Sequence, residues 1–485
     1  MRKSFGLSLL IARLRRDERG SIIIQATLTI VVIMGMIGLA LDGGRLFMVN
    51  NDLQDLADAA ALAGAAKLDG TSGAMERADA AARNLNNNVR WSDVSGPKIM
   101  PKTSGVQFYE TLADLDANIP VTDDKHANYI KVTTGSWQVA PTFLVAVGAV
   151  SNNSTHATAV AESGTAVCVP ASMMLCNPSE PLTGSTGDTS TFNPTPGTMF
   201  IFSTTGNTGD FTPGVFNLLQ DANQDNSDPA VGKLVAQQTA NLCSTAGMSP
   251  AQGQKTNATK IGINVRFDQQ PNGNVTGLDQ TPAPIKIDGY VPRNGTDFCD
   301  GNLVNDTPTP YSNCATDQTI SCALPRDQTF TSVGGSGGSQ IGGGAALTDL
   351  EAYWSNHHPG TLPTGVTTRF QIYQLEVAGT GGAGTWLTDE VEPHGPLCAP
   401  ARFAIAPGIP ASRRVIPVAI VDCRYWGVHG NSLNNIRINS YADFFLTEST
   451  PTSGITSGNI YTEFVTMHRS DESGGGLHSI VRLVR

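Results

Sequence analysis

The run Ser21 to Leu41, "SIIIQATLTIVVIMGMIGLAL", holds 21 residues and no charge. It limits what this chain can fold into more than any other feature. As a helix it would be ~31 Å long at ~1.5 Å per residue, close to the ~30 Å hydrocarbon core of a bilayer. A lone segment in lipid has to satisfy its own backbone N–H and C=O groups, and a helix does so. A removable secretory core is shorter, about 7–15 residues, although Gly38-Leu39-Ala40 would pass as a small-x-small cleavage site. The flanks are asymmetric. Arg2, Lys3, Arg13, Arg15, Arg16 and Arg19 precede the run, set against Asp17 and Glu18, and Asp42 follows it. That order predicts a retained single-pass anchor with its N-terminus inside. The acidic pair after Arg15-Arg16 is a poor context for a twin-arginine signal.

Processing is the competing reading of the same stretch. Gly20 stands between the basic leader and the apolar run, where pilin-like precursors are cut, which would leave Ser21 as the first residue. Such precursors carry a glutamate five residues after the glycine, able to neutralise a new amino terminus within lipid, where an unpaired charge is costly. Here that position is Gln25, which can only hydrogen-bond. The sequence therefore favours a plain anchor and leaves cleavage after Gly20 as an alternative.

The chain has 485 residues and a net charge of −11. That length predicts more than one domain, and the acidic balance argues against nucleic acid as a partner. The 51 glycines and 28 prolines predict many turns and short strands. All eight cysteines lie beyond residue 167, and no C-x-x-C occurs. An even count without metal-ligand spacing points to disulfides in an exported region. Cys168 and Cys176, like Cys314 and Cys322, are close enough for local loops, and Cys398 is a candidate partner for Cys423.

Helical spacing continues past the apolar run through Leu46, Val49, Leu53, Leu56, Ala60 and Ala63. Ala57, Ala61 and Ala65 form a small-residue row that suits close packing, either inside the same domain or against another copy. Gly70 to Gly73 ends this helix, and "AMERADAAARNLNNN" reads as a second. "GVQFYE", "NYIKVTTGSWQV" and "STHATAVAES" read as strands, and "APTFLVAVGAV" as a short apolar helix or buried strand. Further on, "CVPASMMLCNPSEP" reads as a loop and "AVGKLVAQQTANLC" as a helix. Segments 183–198 and "SVGGSGGSQIGGGAA" read as surface loop and flexible linker. The strand signals are "KIGINVRFD", "APIKIDGYV", "RFQIYQLEV", "RRVIPVAIVDCRYWGV", "INSYADFFLTE" and "NIYTEFVTMH". The expected fold class is α+β: a transmembrane helix extended into a long helix, a small α+β unit, and a large β-rich region. The expected divisions are 1–20, 21–41, 42–167 and 168–485.

The stretch "DERGSIIIQATLTI…GLALDGGRLFMVNNDLQDLADAAALAGA" resembles the N-terminal domain of the TadG-like proteins (TadE/TadG-like family) of the tight-adherence, or Flp, pilus machinery. That family shows a glycine before the membrane helix, a D-x-G-R turn, then an alanine-rich helix. Asp42, Gly44, Arg45, Leu53, Gln54, Asp58 and the alanines around Gly64 fit it, while Asp55 and Leu56 depart from it. Blocks such as "INVRFD", "RRVIPVAIVDC" and "FFLTE" resemble segments of long members. The resemblance implies a bacterial inner-membrane protein, mostly periplasmic, whose partners are the membrane and other pilus-assembly proteins; the alanine row adds a homo-oligomer contact as a further candidate. It implies no cofactor and no catalytic residue, hence a non-catalytic assembly component.

Other patterns fail on chemistry. A von Willebrand A-type metal site needs D-x-S-x-S, but Asp188-Thr189-Ser190-Thr191-Phe192 puts phenylalanine at the last position. Asp221, Asn223 and Asp225 begin like a calcium loop, yet Asn226 replaces its glycine and Gly232 its bidentate glutamate. Gly334-Gly335-Ser336-Gly337-Gly338 matches G-x-S-x-G, but "SQIGGGAA" is a poor start for the helix a nucleophile elbow needs. An envelope hydrolase using Ser336 is the weakest alternative. His357-His358 precede Pro359 and read as a surface turn.

Overall fold

The computed structural model describes residues 19–85, 105–143, 145, 153–164, 167–168, 172–203, 211–220, 225–237, 243–244, 249–253, 255–267, 277–279, 281, 283, 324–333, 338–344, 347–357, 360–378, 411–429, 436–450, 458–469 and 480–484. The expected strand "APIKIDGYV", Cys314, Cys322, Cys398, Ser336, Asp221, Asn223 and His358 lie outside them. Two units emerge. One comprises residues 1–68, 73–163 and 481–485; the other comprises 69–72 and 164–480. Together they make the α+β chain the sequence predicts.

The smaller unit is organised by α1, Arg19–Ala65, a helix of 47 residues. Its apolar first half is long enough to cross a membrane and is exposed in the isolated chain, with Ile24, Leu28 and Leu39 each more than 60% accessible. Its second half buries Val49, Leu53, Ala57, Ala60, Ala61 and Ala65. These residues pack on α2 (Ala74–Arg83) and on a sheet built from β1 (Val106–Tyr109), β2 (Tyr129–Thr133) and β5 (Thr158–Gly164). The small-residue row is therefore used inside its own unit. Gly64 shows why small residues are needed: a Cβ there would lie 2.4 Å from Ile130 Cδ1 and 3.2 Å from Ala78 O. A helix of six residues, α3 (Leu112–Ala117), carries a capping box between Thr111 and Asp114. The strand Ile480–Leu483 pairs along β5, so this sheet is completed by residues from more than 300 positions later. Two of the expected strands are each broken. "NYIKVTTGSWQV" forms β2 and β3 (Trp137–Val139), and "STHATAVAES" forms β4 (Asn153–Thr155) and β5. β3 and β4 pair as an antiparallel hairpin.

The larger unit carries a mixed sheet with β7 (Met173–Cys176), β8 (Met199–Phe202), β9 (Phe216–Leu218), β11 (Phe330–Ser332), β12 (Gln340–Gly342), β13 (Val415–Val421), β14 (Ser440–Leu446) and β15 (Ile460–Arg469). The order among these is β11-β12-β8-β15-β14-β13-β7-β9. β13 lies inside the sheet, parallel to β7 and antiparallel to β14. One face packs Phe200, Phe202, Phe216, Phe444 and Phe464 against α4 (Asp228–Ala236) and α5 (Thr256–Asn264). The other buries Met174, Ala419 and Val421 under Phe211, Ile436 and Ile438. Burial on both faces explains the nearly unbroken apolar run of β13.

Several expectations are corrected here. "CVPASMMLCNPSEP" contains the fully buried strand β7, not only a loop. "SVGGSGGSQIGGGAA" is flanked and partly occupied by the β11–β12 pair. "KIGINVRFD" is helical as α5, followed by a 3-10 turn at Val265–Phe267. Its backbone runs so close to α4 that a Cβ on Gly262 would lie 2.3 Å from Val235 Cβ. "RFQIYQLEV" is α7, Arg369–Ala378, after α6, Leu347–His357. Its buried residues Arg369, Ile372, Tyr373 and Glu376 follow helical spacing. Its start carries the T-x-x-Q capping signature, with Thr368 Oγ1 accepting from Gln371 N at 3.2 Å and Gln371 Oε1 from Thr368 N at 3.1 Å.

The cysteine pairing is also corrected. Cys176 bonds Cys423, not Cys168, and Cys423 is thereby unavailable to Cys398. The cause is register: β7 pairs with β13 so that Cys176 lies opposite Val421, two residues before Cys423. Cys168, in β6 (Val167–Cys168), instead lies opposite Cys243 in β10 (Cys243–Ser244). Non-reducing peptide mapping should recover a Cys176–Cys423 linkage and no Cys176–Cys168 linkage. Cys423→Ser should cost roughly 2–5 kcal/mol, read as a lowered unfolding midpoint.

Candidate functional site

The residues that carry the family resemblance lie along α1, and each has a structural role in the smaller unit except one. Asp42 follows the charge-free run directly, and its side chain is buried. Its Oδ1 accepts from Thr142 N at 3.0 Å and its Oδ2 from Phe143 N at 2.9 Å. One turn later Arg45 Nη1 donates to Thr142 Oγ1 and lies 4.0 Å from Asp42 Oδ1. The D-x-G-R motif is thus a clamp on the segment just after β3, in which charge-assisted bonds hold two backbone amides. In "APTFLVAVGAV", expected as a short apolar helix or buried strand, Phe143 is 48% and Val145 52% exposed, while residues 144 and 146–150 lie outside the described residues.

Further along α1 the contacts pass to the strands. Asn50 Oδ1 accepts from Thr155 Oγ1 at 2.7 Å. Gln54 Nε2 donates to Asp58 Oδ1 at 2.7 Å and to Thr158 O at 3.4 Å, and Leu53 is fully buried between these polar positions. Nothing in the structure explains Gly44, whose Cβ position is open. Gly20 and Ser21 lie in the first turns of α1. Gln25 is exposed, and its carbonyl accepts from Thr29 Oγ1. Sequence reasoning found Asp42 and Arg45 but not their partners, because Thr142 and Phe143 lie a hundred residues away and form no local pattern.

In the larger unit, polar groups converge beside the disulfide. Asn177 Nδ2 donates to Asp422 Oδ1 at 2.8 Å and to Thr191 Oγ1 at 2.8 Å. Ser185 Oγ reaches both Glu180 Oε1 at 2.8 Å and Asp422 Oδ2 at 3.2 Å. Glu180 also accepts from the amides of Arg424 and Tyr425, at the start of α8 (Cys423–Trp426). One serine hydrogen cannot serve two carboxylates at once, so sharing Ser185 with Glu180 weakens the support for an ionised Asp422. Burial pushes that carboxyl up to about 6; bonds from Asn177 and Ser185 oppose this, while Glu180 and Asp188 add to it. Asp188 accepts from Ser190 N and Ser190 Oγ, both at 2.9 Å, so the nearest approach to a metal motif closes on itself. Among the described residues no group of His, Cys, Asp and Glu suits a metal ion.

The other buried charges serve the fold. Arg266 donates to the carbonyls of Val235 at 2.7 Å and Gln237 at 3.0 Å, and Arg413 to that of Ala236 at 2.6 Å. Together they satisfy the end of α4, where helical carbonyls lack partners. Burial and the neighbouring Arg413 push Arg266 down to about 9, which leaves it charged at neutral pH. Arg369 pairs with Asp327 and Glu463, and Glu463 accepts from the first amides of α7.

Two outcomes follow. Asp42→Ala should raise amide exchange at Thr142 and Phe143 while that of α1 is kept, read by hydrogen–deuterium exchange. For Asp422 the folded-state value lies above the ~3.9 of an unfolded aspartate. Its contribution is complete below about pH 4 and is lost as pH rises through about 6. Stability should therefore fall across that window by on the order of 3 kcal/mol. Asp422→Asn should remove the slope in denaturant titrations run from pH 4 to 7.

Residues 20–67 match the Tad family model, described as putative Flp pilus-assembly TadE/G-like. No curated protein and no solved structure matches the chain.

Proposed function

We propose, taking the TadE/G-like N-terminal segment as the premise that this is a TadG-like protein of Flp pilus assembly, that the chain works as a non-catalytic anchored component of that system. The observation that carries the reading is the continuity of α1. One helix holds the apolar run that is long enough to cross a membrane and the alanine-rich half that forms the core of the smaller unit. A helix shared in this way transmits position from the bilayer to the folded unit without a flexible joint. The basic flank before Ser21 supports an N-in orientation in the inner membrane. The Cys176–Cys423 bond supports a periplasmic site for the larger unit.

A processed minor pilin is the second reading, and Gly20 before the apolar run favours it. N-terminal sequencing of the protein from isolated membranes separates the two. The anchor reading expects Met1, whereas Ser21 as the first residue would establish the pilin. Deletion of the gene should abolish pili and surface attachment, and complementation with Ser336→Ala should restore both. Normal pili in the deletion strain would refute the assembly role.

A further inference from the structure

We propose that the segment just after β3 is a second, peripheral membrane contact, with Phe143 and Val145 entering the boundary of the bilayer that α1 crosses and Asp42 holding them at that depth. The inference rests on the anchor reading of α1. It begins with level along the helix. Asp42 is the first residue beyond the charge-free run, and it binds the amides of Thr142 and Phe143 at 3.0 and 2.9 Å. Val49, where α1 enters the apolar core, is seven residues further, ~10 Å along the axis at ~1.5 Å per residue. Thr142 and Phe143 therefore lie on the bilayer side of that core.

Apolar exposure extends to this segment. Phe143 and Val145 are 48% and 52% accessible, and Leu41, Phe47 and Met48 on the neighbouring turns of α1 are 46–66% accessible. No Asp, Glu, Lys, Arg or His occurs between Lys131 and His156. Phe143 and Val145 thus bring no charge of their own toward lipid, and the nearby carboxylate of Asp42 is already paired with amides and Arg45. The backbone is prepared as well. Amides entering a water-poor boundary need partners, and those of Thr142 and Phe143 already have the carboxylate of Asp42. Arg45, on the next turn, donates to Thr142 Oγ1 and completes the clamp. A bilayer suits these features better than a second protein chain, because Asp42 holds them at the level where α1 leaves the segment that the bilayer itself must cover.

The test is photo-crosslinking of the full chain in vesicles of dioleoylphosphatidylcholine and dioleoylphosphatidylglycerol. p-Benzoylphenylalanine replaces Phe143, Val145, Ile37 or Ile119, one at a time. Ile37 lies in the span, and Ile119 is an apolar residue of the same unit, 58% exposed and outside that segment. Adducts to lipid, identified by mass spectrometry, are expected at 143 and 145 in several-fold higher yield than at 119. Adding Asp42→Ala should cut the yield at 143 several-fold while that at 37 stays unchanged. Lipid adducts at 37 with none at 143 or 145, or adducts there only to another protein chain, would overturn the inference and leave the anchor standing. An unchanged yield at 143 in the Asp42→Ala background would overturn the clamp. Absence of lipid adducts at 37 would refute the anchor reading and this inference together.

Discussion

A carboxylate one residue beyond a charge-free apolar helix needs donors, and in this chain it finds them in backbone amides. Asp42 binds Thr142 and Phe143 across a hundred residues of sequence. That contact ties the exit from the apolar run to the folded unit at a single level of α1. The alanine-rich half of the helix then packs without bulky side chains, down to Gly64 against Ile130.

The larger unit meets a different constraint. Its central strands are buried on both faces, so their neighbours must supply apolar cover and satisfy every polar group nearby. Arginines directed at backbone carbonyls and carboxylates directed at helix starts meet part of the second demand. Arg266 and Arg413 close α4, and Glu463 opens α7. Such residues act as fixed fastenings within the fold.

How much of this was legible depends on whether the signal was local. The span, the helix after it and α2 were readable because periodicity and charge lie along the chain. So were β13, β14 and β15, whose apolar runs end in turns. β7 was missed because "ASMMLC" is short and bracketed by cysteines that suggested a loop. α5 and α7 were misread because Ile, Val, Phe and Tyr at short spacing also suit strands. For α7 the T-x-x-Q pair at Thr368 and Gln371 held the correction and was overlooked. The Cys176–Cys423 bond was not legible, since it follows from a parallel pairing between segments 247 residues apart. Asp42 and Arg45 stood out as a motif, while their partner loop carried only an absence of charge.

The strand Ile480–Leu483 bears on timing. It pairs beside β5, so the two edges of that pairing are separated by the entire larger unit. A ribosome has to deliver residues 164–479 before the smaller unit's sheet can be completed. During that interval β5 exposes an open edge, and an open edge is a template for unwanted pairing. Completion of the smaller unit is therefore gated by synthesis of the larger one, and a chain truncated after the larger unit would carry its defect in the smaller.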